Sequence, residues 1–234
     1  MIVGLLLVPV LIVAIVVAGY VYFNIKRSSS VVRAAPSGTA VAPSSPAAPP
    51  GQWKYIQSRA TDPVPLTVRE LFPHRFSAGT TAGPRTVSRA GTKCSREVIG
   101  KGLAAAVRKA GCTQVMRASY LSSSRKMMAT IGVLNLVNVK AAERVGRAAG
   151  AREFIRQLPA AHGPTHNLTK GTGLEEAEVK GHYLILIWAE FTNLRAPSGA
   201  KQRGRLEAFS NALITGTVNQ SLTSRMVTGH PQAA

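Results

Sequence analysis

Residues 113–137 read TQVMRASYLSSSRKMMATIGVLNLV. Two apolar, β-compatible runs, Thr113–Leu121 and Met127–Val137, flank the polar stretch Ser122–Lys126, and that pattern predicts an antiparallel hairpin. Upstream, Ile99, Leu103, Ala106, Val107 and Ala110 recur at the spacing of one buried helical face, which predicts a helix over Ser95–Ala110 with Ser95 as N-cap and Gly111 as stop. Downstream, Asn138 caps a predicted helix Val139–Leu158, lined by Ala141, Val145, Ala148 and Ile155 and ended by Pro159. A loop with Gly163, Pro164, Gly171 and Gly173 leads to a second strand pair, Glu175–Lys180 and Tyr183–Leu194, turned at Gly181-His182. A last helix, Lys201–Arg225, buries Leu206, Phe209, Leu213 and Leu222.

The order α-ββ-α-ββ-α over residues 94–234 predicts an α+β domain. Its two similar halves would share one antiparallel sheet, with helices packed on one face. The 182 residues from Trp53 onward suffice for one such domain. Residues 53–93, with Pro63, Pro65, Pro73, Gly79 and Gly83, read as an irregular lead-in. Residues 26–52 are nearly all Ser, Ala, Pro, Val, Gly and Thr, a composition too poor in large apolar side chains to fold. Pro36, Pro43, Pro46, Pro49 and Pro50 bias this linker to extended geometry.

Residues 1–25 carry no charged side chain and are dominated by Leu, Val and Ile. Spanning a bilayer takes about 20 apolar residues, so the segment is read as a transmembrane helix. Tyr20, Tyr22 and Phe23 stand at its interfacial end, before Lys26 and Arg27. The rival reading is a cleaved signal peptide with Val16-Val17-Ala18 as cleavage site, but no basic n-region precedes the apolar run. Topology is read two ways. Lys26, Arg27 and Arg33 all follow the helix, which by the positive-inside rule puts the domain in the cytoplasm. The Pro-rich stalk and the cysteines place it outside. The outside reading is taken here, giving a single-pass cell-membrane protein with an extracytoplasmic domain.

Cys94 and Cys112 are the two cysteines of the chain, too few for a disulfide-rich scaffold or a four-cysteine zinc site. A full helix between them would hold their ends about 20 Å apart, against the roughly 4–7 Å between Cα atoms that a disulfide allows. A bridge therefore requires a shorter helix, or residues 94–97 folded back; Gly100 and Gly102 permit a later helix start near residue 99. The alternative is two thiols in a reducing cytosol.

The net charge is +19. Between Arg75 and Lys126 there are eleven Lys or Arg and one acid, Glu97. Such a block attracts polyanions. Arg85, Arg89, Lys93, Arg96, Lys101, Arg108 and Lys109 are the candidate anion-binding residues, the first four expected in a loop and at an exposed helix start. The partners implied are anionic lipid, an anionic cell-wall polymer or a protein. Nucleic acid is disfavoured, because only Phe76 and Tyr120 interleave with the basic residues. The competing reading is a solvated, soluble surface.

No catalytic motif is legible and no cofactor is expected. His162 and His166 lie four apart in a Gly/Pro loop without an intervening glutamate, so they do not make a helical zinc pair. Glu175, Glu176 and Glu178 read as a solvated edge strand. Gly171-Thr172-Gly173 lacks the third glycine and preceding strand of a nucleotide fingerprint. Glu190 shares a strand face with Trp188, and is expected either at the exposed end or paired with an arginine.

Three phrases carry a resemblance: Pro65-Leu66-Thr67-Val68-Arg69-Glu70-Leu71-Phe72-Pro73, Gly111-Cys112-Thr113-Gln114-Val115-Met116-Arg117-Ala118-Ser119-Tyr120, and Thr130-Ile131-Gly132-Val133-Leu134-Asn135-Leu136. They resemble uncharacterised membrane-anchored extracytoplasmic proteins of actinobacteria, over most of residues 62–228. The element order is also similar, more weakly, to the sensor domains of actinobacterial receptor Ser/Thr kinases. That family has two disulfides where this chain can form one, and no kinase domain is present. The resemblance implies an extracytoplasmic location and assigns no activity.

Overall fold

The structure is a computed structural model that describes residues 51–232. The expected transmembrane helix, 1–25, and nearly all of the linker lie outside the described residues. No helix among the described residues is long and apolar enough to cross a membrane.

The elements run α1 (Val68–Leu71), β1 (Arg75–Ala78), β2 (Thr81–Gly91), α2 (Lys101–Lys109), β3 (Gln114–Leu121), β4 (Met127–Asn135), α3 (Val139–Gly146), β5 (Gly173–Lys180), β6 (Tyr183–Phe191), α4 (Gly199–Gly216) and α5 (Val218–Thr228). The class is α+β, with one antiparallel six-stranded sheet in the order β1-β2-β3-β4-β6-β5. Both expected hairpins form, β3–β4 and β5–β6.

The lead-in differs from its expected irregular form. Residues 75–91 supply two further strands, with β2 pairing β1 over 81–84 and β3 over 85–91. Gly83 allows this switch of partner: a Cβ there would lie 2.0 Å from Leu121 O, so only glycine brings the backbones this close. What reads as a chain breaker is a crossing point inside a strand.

Helices cover both faces of the sheet, not one. On one face Met116, Ala118, Tyr120, Ile131, Val133, Ile185 and Ile187 meet Leu206, Phe209, Leu213, Val218 and Leu222 of α4 and α5. On the other, Val115, Met128, Leu134, Leu184 and Leu186 meet Leu103 and Val107 of α2 and Ala141, Ala142 and Val145 of α3. Every residue of β6 is buried, as a strand covered on both sides must be. Each fully buried large aliphatic side chain contributes about 1.5–3 kcal/mol.

Three helix boundaries depart from expectation. The helix before the first hairpin begins at Lys101 rather than Ser95, after a separate 3-10 turn at Cys94–Arg96. Its first N–H groups are capped from afar: Glu153 accepts from Gly102 N (3.2 Å) and Leu103 N (2.7 Å). The second helix starts where expected, with Asn138 Oδ1 accepting from Ala141 N at 2.9 Å, but stops at Gly146 and not Leu158. The chain then runs across the sheet without helix, held by polar strand side chains. Ser119 Oγ donates to Leu158 O (2.6 Å), and Leu158 N donates to Thr130 Oγ1 (3.0 Å). The last helix is broken at Thr217 into α4 and α5.

Candidate anion-binding surface

The register of β2 decides which basic side chains share a face. Arg89 pairs with Arg117 and Val87 with Ser119, whereas Arg85 pairs with Tyr120, the register shifting between Arg85 and Val87. Opposed residues of antiparallel strands project to the same side, and one extra residue, Thr86, reverses the alternation. Arg89 thus lies on the α2 side and Arg85 on the α4 side. Arg85 is occupied there, donating to Phe72 O and, at 3.1 Å, to His74 Nδ1. It belongs to the scaffold and not to a basic surface shared with Arg89, and both arginines sit in a strand rather than the expected loop.

Below Arg89 the cations form a continuous run. Arg117 is buried against Glu97, its ion-pair partner, and donates through Nη1 to Arg156 O (2.8 Å). Arg156 Nε donates to Arg96 O (2.7 Å). Arg96, Lys93 and Arg108 then line a cleft of about 360 Å³ together with Cys94 and Cys112. Burial lowers the pKa of Arg117, and the like charges of Arg89 and Arg156 lower it further, against the opposing pull of Glu97. Glu97 is therefore the ion-pair partner of Arg117, with the guanidinium groups of Arg89 and Arg156 close by. Exposed Lys109 adjoins Arg108 at the end of α2. Lys101 stands at the opposite end of that helix, about 12 Å away by helix rise.

Cys94 and Cys112 form a disulfide with a Cα–Cα distance of 6.2 Å. The 3-10 turn and the late start of α2 bring the two together. Arg117 and Arg156 are the members of this surface that the sequence did not single out. Arg117 is hidden in an apolar strand, and Arg156 lies in a stretch read as helix.

One other cluster of titratable groups is buried. Arg225 donates through Nε and Nη2 to Glu70 (2.5 and 2.8 Å), through Nη1 to Asp62 Oδ1 and Val64 O (both 2.7 Å), and through Nη2 to Pro65 O (3.1 Å). Tyr183 donates to Asp62 Oδ2 (2.6 Å), and His182 Nδ1 donates to Leu136 O (3.0 Å). Burial alone would raise the Asp62 pKa, but the His182 imidazole, with Nε2 3.6 Å from Oδ2, the hydrogen bond from Tyr183 and the charge of Arg225 bring it below the usual carboxylate value. Asp62, His182, Tyr183 and Arg225 are all closed to solvent, so the cluster clamps the fold and offers nothing to a substrate.

Glu190 is neither exposed nor paired with an arginine, contrary to both expectations. It is fully buried and accepts from Trp188 Nε1 at 2.8 Å, while its Oε1 has no partner. Burial raises its pKa. Glu175, Glu176 and Glu178 lie on β5, an edge strand. His162 and His166 are exposed, and His166 Nδ1 donates to Ala160 O at 3.1 Å. No group of three or more metal-ligating side chains forms among the described residues.

No protein-family model, curated protein or solved structure matches this chain.

Proposed function

We propose that this is a membrane-tethered, non-enzymatic binding or sensor-like domain on the extracytoplasmic side, whose cationic face meets an anionic surface. The observation that carries the reading is the Cys94–Cys112 bridge, set among Lys93, Arg96 and Arg108. Disulfides persist in oxidising compartments, which favours the outside. The surrounding charge gives the same locus attraction for anionic lipid or an anionic cell-wall polymer. The apolar segment 1–25 supplies the tether in this reading.

A second reading follows from Lys26 and Arg27, which place the domain in the cytoplasm by the positive-inside rule. It is then a scaffold on anionic lipid or nucleic acid.

Protease treatment of intact cells, combined with non-reducing mass spectrometry of freshly extracted protein, separates the two. External cleavage within 26–52 and a linked Cys94–Cys112 peptide are expected. Protection from protease together with two free thiols overturns the outside reading. The binding arm compares full-length protein with Arg89, Lys93, Arg96 and Arg108 reversed to Glu, on vesicles containing anionic lipid. Binding is expected to fall steeply with salt, since exposed charges are screened over about 8 Å at physiological ionic strength, and to be lost on reversal. Equal loss on reversing Lys201 and Arg203 instead reduces the attraction to net charge.

A further inference from the structure

A separate cleft lies away from the disulfide, where the ends of β4 and β6 meet the start of α4. Its volume is about 520 Å³, within the roughly 300–1,000 Å³ of small-molecule sites. Lys126, Arg195 and Arg205 line it together with Phe191, Asn193 and Gln202, and no acidic residue does. None of the three cationic side chains forms an ion pair or hydrogen bond among the described residues. Arg205 lies over the Phe191 ring, 5.8 Å from its centroid.

The walls are held by the backbone. Thr192 N donates to Lys126 O (3.1 Å) and Thr192 Oγ1 to Arg125 O (2.8 Å), which ties the end of β6 to the start of β4. Arg195 N donates to Asn193 Oδ1 (3.1 Å) and Ser198 N to Gln202 Oε1 (2.9 Å). The cleft is therefore fixed on three sides before any ligand enters.

The electrostatics of the cleft are uncompensated. α4 begins at Gly199 with no side-chain cap and no acid in its first turn. Lys201, Arg203 and Arg205 occupy that end of the helix, where the dipole disfavours cations and favours anions. Three converging cations, an uncapped helix start and no carboxylate form a site whose missing component is a negative charge.

We propose that this cleft binds an organic phosphate bearing hydroxyl groups. The guanidinium groups of Arg195 and Arg205 suit the forked geometry of a phosphoryl group, and Lys126 adds a point charge. The cleft is far larger than one phosphoryl group needs. Asn193, Gln202 and the hydroxyl groups of Thr192 and Ser198 recognise the hydroxyls of an attached polyol, and the Phe191 side supplies an apolar wall. A lipid head group and a free polyol phosphate share this chemistry. The proposal stands independently of which side of the membrane the domain faces.

The test uses the full chain in a neutral detergent, titrated calorimetrically with glycerol 1-phosphate and with inorganic phosphate at 150 mM salt. Saturable one-site binding of glycerol 1-phosphate, tighter than that of inorganic phosphate, is expected. Arg195→Gln with Arg205→Gln should weaken it at least tenfold, whereas Arg89→Gln with Lys93→Gln, an equal charge change on the other face, should alter it less than twofold. Lys126→Gln alone should weaken it several-fold, which covers the case in which the double variant does not fold. Vesicles of phosphatidylglycerol identify the source. Loss of vesicle binding in the cleft variant supports a lipid head group, and retained vesicle binding with loss of glycerol 1-phosphate supports a free polyol phosphate. No saturation with either small probe, or equal weakening by the two charge-matched pairs, overturns the proposal. Failure of the surface reading shows elsewhere, as vesicle binding that survives the Arg89 and Lys93 changes.

Discussion

Arg225 and Asp62 stand 163 residues apart in the chain and meet at 2.7 Å, both side chains closed to solvent. Glu70 holds the other edge of the same guanidinium. Two carboxylates on the segment before the sheet are thus held by one residue of α5. Removing the cation leaves both charges buried, which costs about 3–5 kcal/mol. Arg225→Met should lower the melting temperature by more than any single exposed substitution. Arg225→Lys should fall between the two, since an ammonium keeps the charge but not the fork. Thermal unfolding followed by circular dichroism reads both.

Gly132 packs directly against Ile155. A Cβ there would lie 2.5 Å from Ile155 Cδ1. Gly132→Ala should therefore destabilise by about 1–3 kcal/mol through overpacking. Shortening the neighbour with Ile155→Val should recover part of that loss in the double variant. A double-mutant cycle in denaturant measures the coupling, and strictly additive losses would show that residues 154–158 do not pack on β4 as described.

Glu176 sets a pH dependence. Burial, followed by the nearby carboxylate of Glu207 and then those of Glu175 and Glu178, pushes it up to about 7, despite Ser210. A carboxyl raised in the folded state contributes most below its unfolded pKa, and that contribution is lost as pH rises through about 7. Glu176→Gln should leave stability at pH 5 nearly unchanged and raise it at pH 8. With discounting for its partial exposure, the gain is on the order of 1 kcal/mol. Melting curves at the two pH values, compared between wild type and variant, check the sign.

The two hairpins were legible because Val, Ile, Leu and Tyr are dense in 113–121, 127–137 and 183–194, with short polar turns between. That density also meant burial on both faces, which the one-face expectation missed. β1 and β2 were hidden because Gly83 and Pro84 look like breakers, and their role depends on Leu121, a residue far along the chain. The end of α3 was hidden because Ala148 and Ile155 keep helical spacing by coincidence. Their segment is instead fixed by Ser119 and Thr130, which local periodicity cannot register. The disulfide was one of two readings open to Cys94 and Cys112. The division of the basic block was invisible, because it rests on one extra residue, Thr86, in the register of β2.

The clamp on Arg225 also orders events during synthesis. At about 5–20 residues per second, the ribosome finishes Asp62 and Glu70 on the order of ten seconds before it adds the arginine that bonds both of them. Until α5 emerges, the sheet can form its local hairpins, but the layer that closes over Tyr120 and Tyr183 cannot seal around two unpaired carboxylates. The nascent chain therefore waits in an open form and closes only when its last helix arrives.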